Sequence, residues 1–240
     1  MTMEDMRRGI KRHRKVVLIV VIVLAAGLVS SFAFMGANKT DFSALKNTGA
    51  DGANIQAQVD ALKEAITDAS KPEGAKWTFS ENRNMAELYK SLAEAYLKLN
   101  DSANMASAAS QAAKYYQGSL DTAPAELNDK GKADIYASQG LMYFFAGEND
   151  PSRAAFVSAL KLAPSDIEIN YQYAYVIYGL EGLDAAVAFL NEYKESLPQD
   201  DANRTTVDNI IAQWTAYEQE AAAAAQDAAG QDATATDTTE

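Results

Sequence analysis

The residue types that most often catalyse reactions or bind metals are nearly missing from this 240-residue chain. It has no cysteine, and its single histidine, His13, lies in a basic stretch near the N-terminus. Thiol nucleophiles, disulfides and Cys/His zinc sites are therefore excluded, as is histidine-based acid–base catalysis outside that stretch. Any chemistry would have to use carboxylates, tyrosines, serines or lysines. None of the Gly-rich, G-x-S-x-G or H-E-x-x-H motifs that organise such groups is present.

Acidic residues are plentiful, but they fall at positions of predicted helices that face solvent. The pairs Asn149-Asp150 and Asp200-Asp201 lack the ligand spacing of a calcium loop, and we expect them to cap helices. A pair of glycosidase carboxylates would need a deep cleft around it. We therefore expect no enzyme, no cofactor and no metal site, and an enzyme or a wall-glycan-binding module is the least favoured class.

The charge of the chain is distributed unevenly. The whole chain has 21 basic and 33 acidic residues, a net charge of −12, but six of the basic residues precede Val16. The remainder has 15 basic and 31 acidic residues. A body this acidic repels phosphate backbones, so we expect no nucleic-acid partner.

A membrane anchor is predicted for residues 16–35. These twenty residues contain no charge and no proline, and as a helix they would span about 30 Å, the thickness of a hydrocarbon core. The basic residues just before them predict a cytoplasmic N-terminus and a domain on the other side of the cell membrane. The alternative is a signal peptide cleaved after Ser31-Phe32-Ala33, which would release a soluble secreted protein beginning at Phe34.

Helical periodicity dominates the rest of the chain. Ile55, Val59, Leu62 and Ile66 mark one face of a helix, Ser80 is the expected N-cap of the next, and no segment alternates with period two. The prediction is all-α. Its segments are a basic head (1–15), a transmembrane helix (16–35), a stalk (36–53), an N-terminal helix and loop (54–85), helical repeats (86–200), a capping helix (201–228) and a disordered acidic tail (229–240).

Two prolines, Pro164 and Pro198, are 34 residues apart, and the segments before them match. The first segment has Tyr136, Gly140, Tyr143, Ser152, Phe156 and Ala159, and the second has Asn170, Ala174, Ile177, Ala186, Leu190 and Tyr193. An earlier copy fits Tyr89, Leu92, Ala93, Tyr96, Ala112, Tyr116 and Pro124, with seven residues inserted near 100–106. This pattern resembles the tetratricopeptide repeat at its usual period.

The resemblance implies a solenoid of about three helical hairpins closed by a C-terminal capping helix. Small residues such as Gly140 are expected where paired helices approach closely, and large ones such as Phe156 between neighbouring repeats. The first helices would line a concave groove for a protein or peptide. The residues expected to face that groove are Glu87, Lys90, Glu94, Asp134, Ala137, Leu141, Phe144, Glu168, Tyr171, Tyr175 and Tyr178.

The predicted groove has an aromatic floor and acidic edges. Lys90 alone would suit a clamp for a C-terminal carboxylate, so an apolar segment with some basic charge is the expected partner. The groove hypothesis requires Tyr171, Tyr175 and Tyr178 to be partly exposed, unlike Tyr143 and Phe156, so that truncating Tyr175 costs little stability. The alternative is that these tyrosines pack against neighbouring helices as core residues.

Anchor and repeats together predict a protein-binding adaptor on the extracytoplasmic side of a bacterial membrane, active in export or complex assembly. This architecture resembles the ancillary subunit of the Sec translocon. The alternative function is a chaperone-like holder of unfolded exported proteins.

Overall fold

The computed structural model describes residues 52–235, and this part of the chain is all-α, as predicted. Residues 1–51, with the predicted anchor, and 236–240 lie outside the described residues. The eight helices are α1 (Gly52–Ala69), α2 (Phe79–Lys98), α3 (Ser102–Asp121), α4 (Asp129–Ala146), α5 (Asn149–Leu162), α6 (Ile167–Glu181), α7 (Leu183–Ser196) and α8 (Asn203–Ala235). None of these described helices has the length and apolar character needed to cross a bilayer. The chain divides into two compact units after Pro164.

In the first unit, α1 packs on α2 through the apolar face read from the sequence. Val59, Leu62 and Ile66 are buried, and Ile55 packs against the same core. The predicted N-cap of α2 is wrong, because Thr78 and not Ser80 occupies it. Thr78 is extended, so its hydroxyl accepts from the Glu81 amide (3.4 Å) while the Glu81 carboxylate accepts from the Thr78 amide (2.8 Å).

The hairpin of α4 and α5, in the first unit, requires glycine both at its turn and where the two helices approach closely. α4 ends at Gly147, whose φ of 81° suits a residue without a side chain. Within the hairpin, a Cβ on Gly140 would lie 2.7 Å from Phe156 Cδ2 and 3.1 Å from the Ser152 carbonyl. Ser152 also donates a hydrogen bond to the Gly140 carbonyl (2.7 Å). The expected close approach at Gly140 is therefore confirmed.

The second unit contains α6, α7 and α8. Gly182 joins α6 to α7 with a φ of 99°, and Ala174, Ala186 and Leu190 are fully buried. The last helix continues to Ala235, so the prediction that it ends at residue 228 is wrong. The reason is composition, since alanine has the highest helix propensity and the segment is rich in it.

Helices α5 and α7 have the same length and the same position within the 34-residue repeat of the sequence. Each has 14 residues, and both their first and their last residues are 34 positions apart. Helix α3 is longer, at 20 residues, and the connection before it spans only residues 99–101. The additional residues that the sequence places near 100–106 therefore lie largely in helix.

Replacing Gly140 by leucine should lower the free energy of unfolding of the first unit by about 1–3 kcal/mol, because the fully buried Phe156 ring has no room to move. Ala188→Leu, at an exposed position of α7, is the matched control and should change stability by less than about 0.5 kcal/mol. Urea unfolding followed by circular dichroism measures both. Equal stability of the two variants would contradict the close approach.

A second prediction concerns alkaline pH. The Tyr193 hydroxyl donates to the Ser165 carbonyl (3.0 Å), and burial, then the charges of Asp201 and Asp166, raise the pKa of Tyr193 to about 12. A raised pKa favours the neutral phenol in the folded state, so its stabilisation is complete below about pH 10 and is lost as the pH rises towards 12. The thermal midpoint of Tyr193→Phe should therefore fall less steeply between pH 10 and 12 than that of the parent. Parallel curves would refute this assignment.

Candidate functional site

The residues predicted to line the concave groove divide between the two units. Glu94 lies on α2, and Leu141 and Phe144 lie on α4, and all three are half-buried. Phe144 lies beside Phe145, with ring centroids 5.7 Å apart. Ala137 of the same helix is only 2% exposed, so its predicted place on an open surface is wrong. The groove residues of the first unit are therefore accessible only in part, and their role stays a prediction.

Glu87, another expected groove residue, is bound by its own unit. The fully buried Tyr116 on α3 donates a hydrogen bond to Glu87 Oε1 (2.9 Å), and burial raises the pKa of Tyr116. Lys90 Nζ and Arg83 Nε also lie 3.8 and 3.9 Å from the same carboxylate. The hydrogen bond links α3 to α2 through Glu87, so this carboxylate has a structural contact within its own unit.

In the second unit, Tyr171, Tyr175 and Tyr178 form one side of α6, which we call the tyrosine face. Tyr175 and Tyr178 are each 6% exposed, and only Tyr171 is half-buried. The expected exposure is therefore wrong for Tyr175 and Tyr178. The expected contrast with Tyr143 is also wrong, since Tyr143 is half-buried, whereas Phe156 is fully buried as predicted.

The physical reason is that α8 covers the tyrosine face. The Trp214 ring stacks on Tyr178, with centroids 5.4 Å apart and planes at 20°, and lies 5.7 Å from Tyr171. The Tyr178 hydroxyl donates a hydrogen bond to Glu218, one turn beyond Trp214. Burial raises the pKa values of Tyr171 and Tyr175. Three rings at such distances are a favourable aromatic cluster.

An open groove that the sequence did not predict lies on the first unit between α3, α4 and α5. It has a volume of about 250 Å³ and is lined by Gln117, Tyr136, Gln139, Tyr143, Pro151, Ala154, Ala155 and Ser158. We call it the α3–α5 groove. The lining combines the apolar Pro151, Ala154 and Ala155 with tyrosine and amide groups. On another side of α5, Val157 is 43% exposed, the highest exposure of any large apolar side chain in the described residues.

Gln139 forms the floor of the α3–α5 groove. It is 3% exposed, and its Nε2 donates to the Ala113 carbonyl (3.3 Å) and to Gln117 Oε1 (3.1 Å). The tetratricopeptide pattern has leucine at this position, so a glutamine here is the sequence signal that could have indicated a polar floor. A buried amide that is satisfied by neighbouring polar groups leaves a polar floor on which a ligand can form further hydrogen bonds.

The first unit also contains a half-buried aromatic cluster. Tyr115 is 5.3 Å from Trp77 and 5.7 Å from Tyr89, centroid to centroid. Lys71 Nζ lies 5.3 Å from the Trp77 ring and 2.5 Å from Glu81 Oε1. These contacts hold the segment before α2 against the α2–α3 hairpin, so packing explains the cluster.

The described residues contain no group of three or more histidine or acidic side chains placed to hold a metal ion. Neither a protein-family model nor a curated protein matches the chain. The function therefore has to be argued from the surfaces of the two units.

Burial reverses one expectation about stability. Tyr175→Ala should now destabilise the second unit by about 3–5 kcal/mol, as Phe156→Ala should destabilise the first, because each change leaves a core cavity. Tyr171→Ala should cost clearly less, because its ring is partly exposed. Trp77 lies in the first unit and Trp214 in the second, and the chain has no other tryptophan. Urea unfolding is therefore followed by fluorescence in single-tryptophan backgrounds, Trp77→Phe or Trp214→Phe, so that each background reports on one unit. A small loss of stability for Tyr175→Ala would support the expectation that Tyr175 is exposed in a groove.

Proposed function

We propose that this chain is a non-enzymatic, membrane-anchored scaffold that binds a protein segment on the extracytoplasmic side. Its binding domain would be a solenoid of about three tetratricopeptide-like hairpins, with α8 as the capping helix. The observation that carries the proposal is the equivalence of α5 and α7, which match in length and lie 34 residues apart. That spacing is the period of the tetratricopeptide family, whose members bind peptides.

The surfaces of the first unit support a binding role. The α3–α5 groove has room for one or two side chains of a partner, and Pro151, Ala154 and Ala155 give it apolar area. Tyrosine and glutamine side chains provide contact area and adaptable hydrogen bonds, the combination that is enriched in protein-binding surfaces. The half-buried Glu94, Leu141 and Phe144 offer a second surface on α2 and α4.

The membrane part of the proposal comes from the sequence. The apolar run from 16 to 35 follows six basic residues and is long enough to span a bilayer as a helix. An anchored scaffold would hold its partner at the membrane surface, where both are concentrated. Assembly or export of envelope proteins is the kind of process that uses such a protein.

Site-specific photo-crosslinking in intact membranes tests this function. A photoreactive residue at Ser158 would sample the α3–α5 groove, one at Glu94 the predicted concave surface, and one at Glu126, in an exposed loop, is the control. We expect one discrete adduct from Ser158 or Glu94 and none from Glu126. A broad series of adducts of many sizes would favour a chaperone-like holder, and no specific adduct from either site would refute the scaffold.

The anchor is tested on the same membranes. The chain should remain in the membrane fraction after alkaline carbonate washing and should keep its N-terminal sequence, because the predicted transmembrane helix is retained. A mature N-terminus at Phe34, together with release into the soluble fraction, would mean that a signal peptide is cleaved.

A further inference from the structure

The contact between α8 and the tyrosine face of α6 centres on Trp214. Among the described side chains of α8, only Val207 and Trp214 are buried, and the Trp214 ring contacts Tyr171 and Tyr178 of α6. Glu218 adds the hydrogen bond from Tyr178. An aromatic ring inserted between aromatic rings, with an acceptor one turn further along, is how a helical ligand binds in a groove. Helix α8 therefore occupies the tyrosine face in the manner of a bound peptide.

Further attachments of α8 lie at its N-terminal end. Arg204 donates to the backbone carbonyls of Lys194 (2.6 Å) and Leu197 (3.0 Å), which ties the first turn of α8 to the end of α7. Lys194 Nζ lies 2.6 Å from Asp208 Oδ1, but this pair is at the surface and contributes little. Further along the helix, the fully buried Val207 and then Trp214 hold it in place.

The charge of the second unit opposes this packing. Residues 165–240 contain 15 acidic and 2 basic residues, and both basic side chains, Lys194 and Arg204, are engaged at the α7–α8 junction. Helix α8 itself adds carboxylates, among them Glu218 and the exposed Glu220, to a unit that is already strongly negative. Like charges at this density repel one another, so the net negative charge of the unit opposes the packing of the acidic α8 on the rest of it.

We infer that α8 is a displaceable intramolecular occupant, and that the external partner of the tyrosine face is a basic amphipathic helix with an aromatic anchor. Such a helix would place its aromatic ring where Trp214 lies. Its basic side chains would be attracted by the acidic second unit, whereas the carboxylates of α8 are repelled by it. An external partner has to compete with α8, because α8 is joined to α7 by only six residues and is therefore present at a high effective concentration. This inference rests on the proposed function and names the class of partner for one of its surfaces.

The probe is a dye-labelled peptide that copies residues 203–220 and carries Gln213→Lys, Gln219→Lys and Glu220→Lys. All three positions are exposed on α8, so the ring-contact side is unchanged while the net charge rises from −2 to +2. Two control peptides separate the contribution of the added charge from that of the tryptophan ring. One has the unchanged sequence, and the other combines the three lysines with Trp214→Ala. Binding to the full chain in detergent micelles is measured by fluorescence anisotropy.

The basic peptide should bind the full chain at least about tenfold more tightly than the unchanged peptide, and this preference should shrink in high salt as charges are screened. The basic peptide without its tryptophan should lose at least about tenfold in affinity, because the aromatic anchor is missing. Equal binding of the basic peptides with and without tryptophan would mean charge attraction only, and would overturn the inference.

Displacement is tested by locking α8 in place. Because the chain has no cysteine, Lys194→Cys combined with Asp208→Cys gives one pair that a reducible bismaleimide joins across the α7–α8 contact. The locked chain should lose peptide binding by at least about tenfold, and reductive cleavage of the linker should restore it. If the chain binds the peptide equally well with the linker intact and with the linker cleaved, the peptide does not replace α8.

A destabilised variant provides an independent check. Glu218→Ala in the full chain removes the acceptor of the Tyr178 hydrogen bond from α8 but leaves the tyrosine face unchanged, so it should loosen α8 and strengthen binding of the basic peptide, which keeps its own Glu218, about two- to tenfold. Its circular dichroism spectrum should match that of the parent. Unchanged or weaker binding would contradict the inference. If peptide binding fails while Ser158 or Glu94 still captures a partner, the scaffold function stands and only this partner class is wrong.

Discussion

The distance at which two helices can approach governs this structure, because no sheet or disulfide links the helices of the described chain. In the first unit, Gly140 lets α5 come so close that the Phe156 ring lies where a methyl group would be. The Ser152 hydroxyl then reaches the Gly140 carbonyl across the same contact. In the second unit, Ala174 and Leu190 occupy the corresponding positions and are fully buried. A small residue facing a large one is thus the contact on which the first hairpin depends, and the second hairpin has the same order of sizes at buried positions.

The two units use their aromatic residues in different ways. In the first, tyrosine and glutamine side chains line an open groove whose floor is held by hydrogen bonds of Gln139. In the second, the tyrosines of α6 are closed off by Trp214. The difference has an energetic meaning, since an open surface binds with its full intrinsic affinity, while a covered one binds only after its cover has moved. A single chain with both kinds of surface would respond to partners over different concentration ranges.

Periodicity alone predicted the helical architecture well, because burial of an apolar stripe leaves a clear mark in the sequence, as at Val59, Leu62 and Ile66. It was less successful where the result depended on neighbours distant in the chain. The exposure of Tyr178 could not be judged without knowing that Trp214, 36 residues later, lies against it. The N-cap was displaced from Ser80 to Thr78 because the reciprocal bond with Glu81 decided between two similar hydroxyls. The α3–α5 groove is lined by side chains from three helices, so no pattern within a single segment predicts it.

The length of α8 has a mechanical consequence. From Trp214 to Ala235 the helix continues for another 21 residues, a stiff rod of about 30 Å, while its firm attachments are at its first turns. A rod held at one end is a lever, so a lateral force on its far end acts on the Trp214 contact as a torque. A modest pull by anything that grips the C-terminal part would be concentrated on the contacts of Trp214 with Tyr171 and Tyr178 and on the hydrogen bond to Glu218. Tension, as well as chemistry, would then be able to open the tyrosine face.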